Sequence, residues 1–119
     1  MWQILQTDQF KEWFKKDDNV DEDARVSIYA VMEVLKQLGP NLGRPYVDSV
    51  KGSRHENMKE LRVQSKGRPF RIFFAFDPSR QAVLLIGGNK TGDKRFYTRM
   101  IPIADQLYDH YLEYLGERK

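Results

Sequence analysis

Residues Met58–Arg99 read MKELRVQSKGRPFRIFFAFDPSRQAVLLIGGNKTGDKRFYTR, and the period of this stretch decides the fold. In 58–64, Leu61 and Val63 point one way while Glu60, Arg62 and Gln64 point the other. In 69–76, Phe70, Ile72, Phe74 and Phe76 oppose Arg71, Phe73 and Ala75. Lys66-Gly67 makes a first reversal and Asp77-Pro78-Ser79 a second. The third run, 82–86, is apolar throughout, as expected of a strand covered on both faces, and the pair Gly87-Gly88 is read as its end. The prediction is an antiparallel three-stranded meander.

The same stretch carries the charge. Residues 44–99 hold thirteen Lys/Arg against five Asp/Glu, a net of +8, whereas 1–43 carry −3 and 100–119 carry −2. The formal net charge of +3 therefore conceals a strongly polarised molecule, with cations and aromatics interleaved on a sheet suited to a polyanion.

Outward from the meander, the N-terminal part reads as helical. The short apolar run 2–6 makes a first strand, and Thr7 offers an N-cap for a short helix with Phe10, Trp13 and Phe14 on one face. In 21–39, Ala24, Ile28, Val31, Leu35 and Leu38 recur at helical spacing. Asp21, Glu22 and Asp23 stand at the favourable end of its dipole, and Gly39-Pro40 stops it. The segment 41–57 has no period and reads as an ordered loop carrying Arg44, Lys51, Arg54 and His55. A closing helix over 101–115 is expected to start with Pro102 in its first turn.

A chain of 119 residues is the size of one ordinary domain, and 1–119 is read as a single unit without repeats. The absence of cysteine excludes thiolate chemistry and disulfide staples, which suits a reducing cytoplasm. There is no apolar run of about 18 residues and no secretory signal pattern, so neither membrane insertion nor export is expected.

If the apolar strand faces meet the helices, the other face presents Arg62 and Arg71. Lys51, Arg54 and His55 approach from one side, and Lys59, Lys90, Lys94, Arg95 and Tyr97 add to the cationic rim. Arginine grips phosphate oxygens with two parallel donors, and a fixed cation cluster stabilises an extra-charged transition state. Phe73 and Tyr97 could stack single-stranded bases. Each residue also has a plainer reading. Arg62 could pair across the hairpin, His55 could be a surface histidine and Tyr97 a packing residue. Arg71, in the middle of an aromatic strand, is costly to bury without a partner or a task. His55 and His110 are far apart, and no carboxylate cluster has ligand spacing, so no metal and no cofactor are expected. The stretch Gly87–Thr91 lacks the spacing of a phosphate loop.

These motifs, VKGSRHENMKELRV, RPFRIFFAF and AVLLIGGNKT, in the order strand, two helices, meander, helix, resemble the RelE/ParE superfamily of type II toxins, and within it the HigB-like, phage Gp49-like branch. The resemblance spans essentially the whole chain. It implies an α+β, RelE-like fold with an N-terminal strand and two-helix hairpin, an antiparallel three-stranded meander and a C-terminal helix. It also implies a metal-independent endoribonuclease that cuts messenger RNA in the ribosomal A site, arresting translation and growth. Attack by the ribose 2′-hydroxyl would leave a 2′,3′-cyclic phosphate. The implied partners are the 70S ribosome, mRNA and a cognate antitoxin, a small helix-turn-helix protein encoded next door. By position Arg71 and Arg62 match the family's phosphate-contacting arginines. Lys51, Arg54 and His55 match its loop cations or histidine, and Tyr97 a late tyrosine. Branch members often carry a phenylalanine and a double lysine where this chain has Gly87-Gly88-Asn89-Lys90-Thr91, which leaves Lys90, Lys94 and Arg95 as alternatives for one role. The proton-transfer group is Tyr97, if surrounding cations lower its pKa, or His55. The rival functions are a ParE-like gyrase inhibitor and a non-enzymatic RNA-binding module.

Overall fold

A computed structural model describes residues 1–117. In chain order its elements are β1 (Gln3–Gln6), α1 (Asp8–Lys15), α2 (Glu22–Leu38), β2 (Val47–Ser49), β3 (Lys59–Ser65), β4 (Arg68–Phe76), β5 (Gln81–Asn89) and α3 (Phe96–Glu117). The expected meander is present as β3-β4-β5, but it is the centre of a five-stranded sheet ordered β1-β5-β4-β3-β2. The α+β class stands and the strand count is corrected. β1 pairs parallel with β5 at one edge, and β2, inside the segment read as a loop, pairs antiparallel with β3 at the other. A three-residue strand shows no period of its own and exists only by pairing with Lys59–Leu61.

Local signals set both N-terminal helices. Thr7 Oγ1 accepts from the Phe10 N–H at 3.0 Å, and Asp21 Oδ1 accepts from the Ala24 N–H at 3.0 Å. Ala24, Ile28, Met32 and Leu35 of α2 join Phe10 and Phe14 of α1 against Phe70, Ile72 and Phe74 of β4. Leu38, assigned to the buried stripe by spacing, is instead exposed. The opposite face of the sheet, Phe73, Ala75, Val83 and Leu85, is covered by Phe96, Met100, Ala104 and Tyr108 of α3. Each fully buried phenylalanine or leucine in these layers contributes about 1.5–3 kcal/mol before entropy is counted.

Two further boundaries differ from expectation. Gly87 and Gly88 do not end β5 but lie inside it, in register with Ile72 and Arg71. A Cβ on Gly87 would stand 2.4 Å from the Trp13 ring, and one on Gly88 2.7 Å from the Phe96 ring. The two glycines thus admit an aromatic ring from each side of the sheet. Pro102 is inside α3 rather than at its start. The helix begins at Phe96 because Asp93 organises the turn before it, its carboxylate accepting from the Arg95 N–H at 3.0 Å and from Arg99 Nη1 at 2.7 Å. Tyr97 therefore stands on the first turn of a helix packed over the sheet.

Candidate active site

Arg62, Arg71 and Gly88 are register partners on β3, β4 and β5, so they occupy neighbouring positions on the face covered by α3. Glu60 lies two residues before Arg62 on the same face, opposite Phe73. Because Gly88 carries no side chain, the Phe96 ring settles against the strand, and Tyr97 follows it to the edge of Phe73, 6.2 Å between ring centroids. The Tyr97 hydroxyl donates to Glu60 Oε1 at 2.7 Å, and Arg71 Nε stands 3.7 Å from the same oxygen. Lys90 Nζ lies 5.5 Å from the centre of the Tyr97 ring.

The sequence suggested an exposed face centred on Arg62 and Arg71. Arg71 is instead 3% exposed and Glu60 7%, because α3 roofs their end of the sheet. Arg71 Nη1 donates to the Phe70 carbonyl at 3.0 Å, while its Nε–H is the one buried side-chain donor or acceptor among the described residues without a hydrogen-bond partner. The 3.7 Å approach to Glu60 is an ionic contact too long to be a hydrogen bond. A buried donor left unmet costs about 1–3 kcal/mol, a cost that an incoming anionic oxygen would remove. Arg62 is partly exposed and stands 4.0 Å from Asp48, which Arg44 holds at 2.7 Å.

Glu60 and Tyr97 line a cleft of about 460 Å³ with Arg44, Asp48, Ser49, Val50 and Lys51. Burial, then the hydrogen bond and charge of Glu60, push the Tyr97 phenol above its ordinary value, with Arg71 pulling weakly the other way. The expected direction was downward, from surrounding cations. Burial under α3 is the larger cause, and the carboxylate that accepts from the hydroxyl adds to it.

The other expected residues divide. Lys51 joins the cleft, and Lys90 joins through the Tyr97 ring. Lys94 and Arg95 are exposed in the turn entering α3. Lys59 pairs with Phe74 and so points to the α1/α2 side, away from Glu60 and Arg62. Arg54 and His55 are tied to the later half of α3. The Arg54 guanidinium pairs with Asp109, and His55 Nε2 lies 2.7 Å from Asp109 Oδ1 with its ring edge-on to Tyr108. Asp109 is twelve residues after Tyr97, about 18 Å along the helix axis. Asp105 completes the tie, accepting from Ser53 Oγ and from the Arg54 N–H. The arginine beside Asp109 holds its carboxyl below the usual range.

Sequence reasoning gave no site role to Glu60, Arg44 or Asp48. The available signal was Glu60-Leu61-Arg62, a carboxylate and a cation on one face of one strand. A further cleft, of about 630 Å³, lies at the opposite edge, between β1, the start of α1, and Tyr111 and Tyr114 of α3. Lys11 is its one cation.

The fold and the cluster define an α+β protein whose five-stranded sheet carries a cleft lined by Arg44, Lys51, Asp48, Glu60 and Tyr97, with the buried Arg71 beside Glu60. The chain belongs to the family of phage-derived Gp49-like proteins, whose model matches residues 13–109, and it is HigB-like. It is 46% identical over 110 residues to HigB3 of Mycobacterium tuberculosis, covering 92% of each chain. It is 45% identical over 104 residues to HigB2 of the same organism, covering 86% of this chain and 52% of that protein. Both relatives bear the name of a toxin, which bears out the resemblance read from the motifs. No helix among the described residues is long and apolar enough to cross a membrane.

Proposed function

We propose that this chain is the toxin of a type II toxin-antitoxin pair and acts as a metal-independent endoribonuclease on mRNA in the ribosomal A site. The observation that carries this reading is the buried Arg71, one N–H unmet, against a Glu60 carboxylate that is hydrogen-bonded to Tyr97. That set contains what cleavage by a ribose 2′-hydroxyl requires. Arg71, with Arg62 beside it, takes the non-bridging oxygens of the scissile phosphate and stabilises the extra negative charge of the phosphorane. Glu60 accepts the 2′-hydroxyl proton as O2′ bonds to phosphorus. Tyr97 donates its proton to O5′ as the P–O5′ bond breaks, leaving a 2′,3′-cyclic phosphate and a 5′-hydroxyl. The Glu60–Tyr97 hydrogen bond then returns the proton from the carboxylic acid to the phenolate, which closes the cycle. Lys51, Arg44 and Lys90 grip the RNA backbone along the cleft, with Lys94 and Arg95 extending the track. His55 and Arg54 hold the loop to α3 and take no part in proton transfer.

The test is expression of the chain and its Arg71→Lys variant in growing cells, followed by primer extension on translated messages. Growth arrest with cuts inside codons, both abolished in the variant at unchanged melting temperature, is the expected result. Intact messages accompanied by gyrase-linked DNA breaks would replace the nuclease reading with gyrase inhibition. Absence of toxicity, with only salt-dependent RNA binding, would leave a non-enzymatic module.

A further inference from the structure

Loop 50–58 and one face of α3 run in step. Tyr97, Ile101, Asp105 and Asp109 recur every four residues and form a single row on the helix, one position round from the row Phe96, Met100, Ala104 and Tyr108 that packs on the sheet. The loop meets the first row in order. Lys51 and Gly52 line a shallow cleft of about 360 Å³ with Tyr97 and Ile101. Next, Ser53 Oγ donates to Asp105 Oδ1, and the Arg54 N–H donates to Asp105 Oδ2 at 3.1 Å. The Arg54 guanidinium and His55 then reach Asp109. One row of α3 thus carries the candidate proton donor at one end and the anchors of a cation-bearing loop at the other.

We propose that Asp105 is a positioning residue, fixing the loop on α3 so that the Lys51 cation is held at the cleft beside Tyr97, where it meets the RNA backbone. The chain around Lys51 does not fix it alone. The Val50 N–H closes the base of the loop on the Met58 carbonyl at 3.0 Å, but Gly52 follows at φ +93°, and a glycine has many other conformations open to it. Asp105 removes that freedom. It is 4% exposed, and a buried carboxylate is costly unless it is hydrogen-bonded, so both oxygens hold the loop where their donors stand. Ser53 is only two residues from Lys51, at most about 7 Å of extended chain. Asp109 engages the loop farther from Lys51, which leaves it a stabilising part. The proposal rests on the proposed function in one respect, that Lys51 grips RNA.

The test is a double-mutant cycle on RNA affinity, read by fluorescence anisotropy with a single-stranded RNA whose 2′-hydroxyls are methylated so that it cannot be cut. Lys51→Ala should weaken binding about tenfold and lower the salt slope by about 0.7. Asp105→Asn should do nearly the same, although removing a carboxylate beside a polyanion would by charge alone strengthen binding. Added to Lys51→Ala, it should cost nothing further, because the cation it sets is already gone. Ser53→Ala removes one tie without touching α3 and should show the same coupling in smaller measure, which keeps the cycle readable if Asp105→Asn unfolds. Wild-type affinity in both tie variants overturns the proposal. So do losses that multiply in the double variant, a Lys51→Ala variant that binds as the wild type does, or a chain that binds no RNA. Coupled losses in a chain that leaves messages intact would keep the positioning role and remove the nuclease reading; independent losses in a chain that cuts them would do the reverse.

Discussion

The phenol of Tyr97 donates a 2.7 Å hydrogen bond to Oε1 of Glu60, joining the first turn of α3 to the second residue of β3. Burial and the carboxylate raise the phenol's pKa, so the proton stays on Tyr97 up to and beyond its ordinary titration near 10. Tyr97→Phe should therefore lower RNA cleavage by about 100-fold or more while leaving the fold intact. The wild-type rate should show no alkaline ionisation between about pH 7 and 9, because a raised pKa moves that limb upward. A rate–pH profile with a tyrosine-dependent rise in that range would show that Tyr97 acts as a base.

Arg71→Lys keeps the charge but loses the planar fork. Cleavage should fall by about 100-fold to 1,000-fold. Arg71→Ala strands the buried Glu60 and should also cost about 3–5 kcal/mol of stability, read from urea midpoints. A fully active Arg71→Lys variant would remove Arg71 from the phosphate site.

For His55 the structure points to a different outcome from the one its pKa class suggests. His55→Ala should cut RNA at the same positions with a rate within about threefold of wild type, and should melt earlier because the tie to Asp109 is lost. A loss of about 100-fold at unchanged stability would return His55 to proton transfer.

Gly87→Ala and Gly88→Ala make a discriminating pair. Each inserts a methyl group into an aromatic ring, Trp13 or Phe96, and each should cost about 1–3 kcal/mol. Only Gly88→Ala should also reduce cleavage in protein shown by circular dichroism to be folded, because displacing Phe96 displaces Tyr97.

Acid sensitivity should centre on Asp21, whose carboxyl the Arg68 guanidinium and then the Ala24 N–H hold at about 2, below its ordinary 3.8. A depressed folded pKa contributes stability that is present above about pH 4 and lost as pH falls toward 2. Asp21→Asn keeps the cap acceptor and removes the titration. Its urea midpoint should decline less than that of the wild type between pH 4 and 2. Equal declines would show that other groups govern acid unfolding.

Much of this architecture is local in origin and legible in the sequence. Thr7 and Asp21 cap their helices because a side-chain oxygen beside unsatisfied N–H groups needs no distant partner. The alternation across β3 and β4 follows from strand geometry, and it correctly set Glu60, Arg62, Arg71 and Phe73 on one face. Where the reading failed, a neighbour remote in sequence had intervened. β2 depends on pairing with β3, and Gly87 and Gly88 stay in a strand because rings from α1 and α3 need their space. α3 starts at Phe96 through an Asp93 turn that outweighs the preference of Pro102 for a first position.

The amino-acid sequence alone determined the α+β class, the polarised charge, the family and the strand face carrying the arginines, since each rests on composition, spacing or motif. Tertiary structure alone decided that Arg71 is buried rather than exposed, that the Tyr97 hydroxyl donates to Glu60, and that His55 belongs to a strut about 18 Å from Tyr97 along α3. The physical reason is that burial and pKa depend on what covers a face, and the cover here is a helix whose contacts with the sheet no spacing rule encodes.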